Sequence, residues 1–170
     1  CSRSANVFMH GGHRRKPHQK PGTYCGVGGV TRSGTQPSDS DMSGALEQVI
    51  QGEEAAVYAY GRAAPYLSGA ENDRVRGGLV AHQQRVTALR AELNVQSQPQ
   101  APLGFEVPQV IDGGTARSLL GEVEARLSAQ YADLAAASTG DQRREAVLIA
   151  RECAVRSITW GAAPQPFPGR

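Results

Sequence analysis

The chain is poor in cysteine: Cys1, Cys25 and Cys153 are its three, with no C-x-x-C or Cys/His ligand spacing among them. That excludes both a disulfide framework and a zinc module, and it fits a reducing compartment, so a cytoplasmic location is expected. Long apolar runs are lacking too. None approaches the roughly 18 to 20 residues that span a bilayer, and no charged-then-apolar leader opens the sequence. A dominant charge is missing as well, since 18 basic residues face 16 acidic ones for a net charge of +2. No strong field therefore draws the protein to nucleic acid or to an anionic membrane. Cys25-Gly-Val-Gly-Gly follows no strand pattern and does not read as a phosphate loop. One pair carries a different expectation of location: Cys1-Ser2 is how a lipid-modified mature protein begins, which gives a lipid anchor through Cys1 after signal removal as the alternative.

What the 170 residues do contain is enough for one domain of ordinary size and a tail. Residues 1–42 are rich in Gly, Ser, Pro and basic side chains and have no apolar periodicity, which predicts a disordered basic tail. His10, His13 and His18 lie there beside Arg14, Arg15 and Lys16, a combination suited to a stray metal ion, a phosphate or the acidic surface of a partner. Residues 43–170 change character abruptly and read as all-α.

Leu46, Ile50, Val57, Tyr60 and Ala64 recur at steps of four and three with Glu53 in the same series, predicting a first helix over 44–64. Asp39 and Asp41 suit its N-terminus, Ser43 is placed to cap it, and Pro65 closes it. A second helix over 70–94 carries Val75, Leu79, Val86, Leu89 and Leu93, with His82 filling the gap in the stripe. A third over 115–138 carries Leu120, Leu127, Tyr131 and Leu134, with Glu124 in the corresponding gap. The fourth, over 141–161, has two possible inner stripes, one through Ile149, Cys153, Arg156 and Trp160 and one through Leu148, Glu152 and Val155.

Only a few residues separate the first helix from the second and the third from the fourth, so each pair is an antiparallel hairpin. Between the hairpins, 94–114 contains Pro99, Pro102 and Pro108 and is not helical. Such a bundle helix is about 33 Å long, and about 20 extended residues reach up to about 66 Å. The segment is long enough to run the length of a bundle, and two hairpins joined by one long crossover is the ferritin-like topology.

A di-iron bundle of that kind needs one Glu from each of two helices and a Glu-x-x-His pair from each of the other two. Leu79 stands three residues before His82, and the fourth helix has no histidine, so di-iron catalysis in the usual form is not expected. Glu53, His82 and Glu124 remain as a reduced set that would suit a single iron or manganese ion in metal handling or oxidative-stress defence. The competing expectation is a buried polar network without cofactor, formed by Glu53, Tyr58, His82, Arg85, Glu124, Tyr131 and Arg156, in a helical bundle that is not an enzyme and pairs as a homodimer through an exposed face. An inward Arg156 would favour the network, because it neutralises a carboxylate and repels a cation.

These residues also carry a resemblance. ALEQVIQGEEAAVYAYG, LVAHQQRVTALRAEL, the Pro-rich crossover, the acidic start of the third helix around Glu122 and Glu124, and AVRSITW followed by PQPFPG resemble the actinobacterial ferritin-like family known as domain of unknown function 4439. The resemblance covers about 45–169 and implies a ferritin-like bundle with no assigned activity. Glu53, Tyr58, Gly61, His82, Arg85 and Trp160 match the family's motif, whereas Glu53-Glu54 stands where Glu-His is common.

Overall fold

The computed structural model describes residues 38–93 and 108–166. The predicted tail with its histidines, residues 94–107 of the crossover expected over 94–114, and the last four residues lie outside the described residues.

Four helices make up the described fold: α1 (Asp39–Ala63), α2 (Gly69–Glu92), α3 (Gly113–Ala137) and α4 (Gly140–Thr159). The expected helices are all present, and the largest boundary difference is at the first. It starts at Asp39 because Ser38, and not Ser43, is the N-cap. Ser38 Oγ accepts from the Asp41 N–H (3.3 Å) while Asp41 Oδ2 accepts from the Ser38 N–H (3.2 Å), a reciprocal box that satisfies two donors orphaned at a helix start. Ser43 is an ordinary helical residue one turn in. Asp112 and Thr115 form the equivalent box for α3, with the Thr115 N–H donating to Asp112 Oδ1 at 2.7 Å.

Pro65 follows α1 closely, as expected, and is the middle residue of a single 3-10 turn, Ala64–Tyr66. Asn72 then fastens the hairpin, its amide donating to the carbonyls of Ala64 (3.1 Å) and Leu67 (3.2 Å). Both short connections feed a helix through a glycine with positive φ, Gly69 at 53° and Gly140 at 57°, a conformation costly for other residues.

Helix α1 packs against both α2 and α3, and α3 packs in turn on α4. Each of these pairs is antiparallel, as Tyr60 opposite Gly78 and Glu53 opposite His82, Tyr60 opposite Glu124 and Glu53 opposite Tyr131, and Gly121 opposite Ser157 and Ser128 opposite Ala150 all require. The core between them is aliphatic, with Val49, Ile50, Leu120 and Leu127 buried, each contributing about 1.5–3 kcal/mol relative to exposure. Gly78 brings α2 directly onto the Tyr60 ring, since a Cβ there would lie 2.2 Å from a ring carbon.

The rotation of α4 follows Ala146, Ala150, Cys153 and Trp160, all buried. The inner stripe is therefore the one through Cys153 and Trp160, and Leu148, Glu152 and Val155 face outward. The other open question of burial concerns α2, in which only Val75, Gly78 and His82 are buried. Its side toward α4 is joined by the Arg85–Glu152 ion pair and otherwise leaves a groove.

At its end α4 closes in a Schellman arrangement. The Ala162 N–H donates to the Ser157 carbonyl (3.0 Å) and the Gly161 N–H to that of Ile158 (2.9 Å), with Gly161 at φ 96°. This stop holds Trp160 against the core, where its indole N–H donates to the Tyr60 hydroxyl at 3.2 Å. Among the described residues no helix is long and apolar enough to cross a membrane.

Candidate functional site: a buried ionic cluster

Glu53, His82 and Glu124, the three polar residues that interrupt the apolar stripes, are brought together and are fully buried. The imidazole lies between the two carboxylates, Nδ1–H donating to Glu53 Oε2 at 2.6 Å and Nε2–H to Glu124 Oε1 at 3.2 Å. Both ring nitrogens face acceptors, so both carry protons and the ring is an imidazolium. Burial alone would depress the His82 pKa, but its hydrogen bonds to Glu124 and Glu53 and their charges outweigh it and leave it raised. Glu124 shows the converse. Burial pushes its pKa up, and His82, Arg156 and the Tyr60 hydroxyl together bring it below the ordinary value.

Each carboxylate has a tyrosine from the neighbouring helix. Tyr131 donates to Glu53 Oε1 at 2.7 Å, and Tyr60 donates to Glu124 Oε1 at 2.5 Å. Each also has an arginine nearby, Arg85 Nη1 at 3.9 Å from Glu53 and Arg156 Nε at 3.4 Å from Glu124. Both guanidinium groups then meet Glu152 at the surface, Arg85 at close range and Arg156 at 3.2 Å. Three carboxylates thus face three cations, which is how a low-dielectric interior tolerates ionised groups. Two polar atoms here are buried without a hydrogen-bond partner, Glu124 Oε2 and Arg85 Nη1.

Of the polar residues singled out from the sequence, Glu53, His82, Arg85, Glu124, Tyr131 and Arg156 lie together in this cluster. Tyr58 is 38 % exposed and stands on the outer side of α1, because two residues along a helix turn a side chain about 200° away. Tyr60, expected only as core packing, is the tyrosine that reaches Glu124. Cys153 is buried beside the cluster, and burial together with the charges of Glu124 and Glu53 holds its thiol well above the ordinary range. It is a protonated packing group in this setting, and His82 has no free nitrogen with which to activate it.

A register hidden in the sequence accounts for the cluster. Glu53 and Glu124 lie 71 positions apart, and so do Tyr60 and Tyr131, His82 and Cys153, and Arg85 and Arg156. Gly69 and Gly140, the two positive-φ glycines at the helix starts, keep the same spacing. The α1–α2 and α3–α4 hairpins are therefore two versions of one unit, E-x₆-Y on the first helix and a residue two before Arg's neighbour, His or Cys, on the second. Because α1 and α3 are antiparallel, an approximate two-fold axis sets the Tyr of each unit on the Glu of the other. His82 is the member without a like partner, and it sits between both carboxylates.

A metal ion requires a different donor set. A ligating imidazole presents one lone pair to the ion and donates from its other nitrogen, whereas both His82 nitrogens are committed to carboxylates here. Among the described residues no group of three or more His, Cys, Asp or Glu side chains is gathered so as to hold a metal ion. This arrangement does not fit a metal centre without rearrangement of His82.

No curated protein and no solved structure matches the chain. A family match does cover most of it, over residues 45–170, and the family is described as Domain of unknown function (DUF4439). With that span including all four members of the cluster's repeated pattern in both hairpins, the chain belongs to the DUF4439 family.

Proposed function

We propose that the chain is a ferritin-like bundle in which a charge-balanced ionic lock occupies the place of a di-metal centre, and that it acts as a binding or architectural module without di-iron chemistry. The observation that carries this reading is the His82 imidazole with a carboxylate on each nitrogen. The repeat supports it further. On the pattern of two single-Glu helices and two Glu-x-x-His helices, Glu53 and Glu124 take the single-Glu positions. Leu79 and Ala150 then stand where the paired Glu belongs, and Cys153 where the second His belongs. Half of a six-ligand set is thereby replaced, and Arg85 and Arg156 supply positive charge in place of metal.

The topology is supported by helix direction. Since α1 is antiparallel to both α2 and α3, α2 and α3 run parallel, and α3 begins beside the α1–α2 turn, with Gly113 close to Tyr66 and Arg117 bound to Glu71. Leu93 and Gly113 therefore lie at opposite ends of an α2 of 24 residues, about 36 Å long, an arrangement in keeping with a ferritin-like topology. A partner-binding role of the basic tail concerns residues outside those described.

Elemental analysis and iron(II) oxidation assays on the purified, untagged full chain test the reading. Substoichiometric metal and no oxidation above a protein-free control are expected. Stoichiometric iron or manganese that is lost in His82→Ala would replace it with a mononuclear centre on Glu53, His82 and Glu124.

A further inference from the structure

The groove between α2 and α4 has a cavity volume of about 570 Å³, within the range of small-molecule sites. Its floor is formed by Arg85 and Arg156, which approach from opposite sides of the two-fold axis, and Arg151 stands at the rim. Against these three guanidinium groups the lining offers one carboxylate, Glu152, bound by both Arg85 and Arg156. Glu152 itself is exposed, with 57 % of its side chain open to solvent. Arg85 turns Nη1 inward toward Glu53 and Nη2 outward to Glu152, so its outer edge is the one that borders the groove. The walls are apolar: Leu148 (57 % exposed) and Val155 (64 % exposed) on α4 face Ala81 on α2. With Glu53, Glu124 and Glu152 balanced by His82, Arg85 and Arg156, Arg151 leaves the groove one positive charge in excess beside exposed aliphatic side chains, a surface complementary to an anionic head joined to an aliphatic body.

We propose that this groove binds an aliphatic monocarboxylate, its carboxylate taking the place of the Glu152 carboxylate between Arg85 and Arg156 and its chain lying along Leu148, Val155 and Ala81. Glu152 acts as a tethered stand-in that holds the two guanidinium groups in a fork until the ligand arrives. A planar carboxylate suits that fork because two guanidinium groups can donate to its two oxygens together. The proposal extends beyond the ionic lock and does not require it to be metal-free, since the ligand reaches only the outer side of the two arginines.

Isothermal titration calorimetry of the full chain with decanoate below its micellar concentration tests it, with decanol and acetate as comparison ligands. Saturable binding of one decanoate per chain is expected. Decanol should bind at least about tenfold more weakly, the loss of a charge-assisted contact, and acetate alone should give no measurable heat. Glu152→Gln removes the competing carboxylate from an exposed position and should tighten decanoate binding several-fold, while Leu148→Gln should weaken it. Both variants are checked for unchanged helical content. Absence of saturable decanoate binding, equal affinity for decanol, or unchanged affinity in Glu152→Gln would each overturn the proposal.

Discussion

Replacing His82 with leucine tests the ionic lock most directly, because it keeps the volume and deletes the charge between two buried carboxylates. Glu53 would lose its 2.6 Å donor and Glu124 its 3.2 Å donor, leaving Tyr131 and Tyr60 as neutral donors and the two arginines at 3.9 and 3.4 Å. Removing one partner of a buried ion pair costs about 3–5 kcal/mol. The remaining arginines favour the lower end, so a loss of about 3 kcal/mol is expected. Against a total stability of about 5–15 kcal/mol this is a large fraction, and it lowers Tm by roughly 10 °C for a domain of this size. The assay is urea denaturation followed by circular dichroism, repeated across pH. The His82 pKa is raised in the folded state, so its contribution is complete below its ordinary value of 6.5 and is lost as pH rises through the folded value. Glu124 is lowered, so its contribution is present above its ordinary value of 4.5 and is lost as pH falls through the folded value. The gap between the wild type and His82→Leu should therefore be widest between those two values and narrow on the alkaline side. A loss below about 1 kcal/mol in that window, the size of one ordinary neutral hydrogen bond, or a gap independent of pH, would refute the assignment of an imidazolium.

Tyr60→Phe and Tyr131→Phe each remove a hydroxyl donor from a buried carboxylate and should each cost about 1.5–3 kcal/mol in the same denaturation assay. Tyr60→Phe should cost the more, because it also strands the Trp160 indole N–H. Gly78→Ala places a methyl group 2.2 Å from the Tyr60 ring and should destabilise by about 1–3 kcal/mol. Its neighbour Gly77→Ala meets open space and should stabilise by about 0.5–1 kcal/mol as a helix-interior glycine is replaced. Cys153, buried and with a raised pKa, should react with iodoacetamide far more slowly in the native protein than in urea, read by mass spectrometry of the Cys153 peptide.

The helices were legible because their stripes are aliphatic and regular, and the three buried polar residues were legible as gaps in those stripes. Glu53, His82 and Glu124 stand where a leucine would be expected, and only a shared interior explains three such gaps. Where side chains are small or mixed, periodicity loses its hold. The inner face of α4 is marked by Ala146, Ala150 and Cys153, while the larger Leu148 and Val155 point outward, so counting apolar bulk could not choose between its two rotations. The start of α1 was hidden for another reason: Ser38 and Ser43 are equally good caps as residue types, and only the reciprocal bond to Asp41 separates them. Tyr58 and Tyr60 differ by two positions, and the distinction needed the seven-residue interval from Glu53 to Tyr60, repeated from Glu124 to Tyr131.

That repeated interval bears on why the cluster holds an arginine pair at all. A two-fold arrangement of one Glu per hairpin places two like charges close together in a dry interior, where their repulsion is weakly screened. One cation on the axis relieves both, and in this chain His82 fills that place with a single charge, half of what a divalent ion would bring. The remaining charge enters from the helices that place no carboxylate in the buried pair, and Arg85 and Arg156 supply it from equivalent positions of the two hairpins. Their long side chains reach inward to Glu53 and Glu124 while the guanidinium groups stay partly in contact with the groove, with side-chain exposures of 18 % and 25 %. Compensating the interior therefore places two guanidinium groups behind the α2–α4 seam, and their presence along the groove is a consequence of the negative pair within.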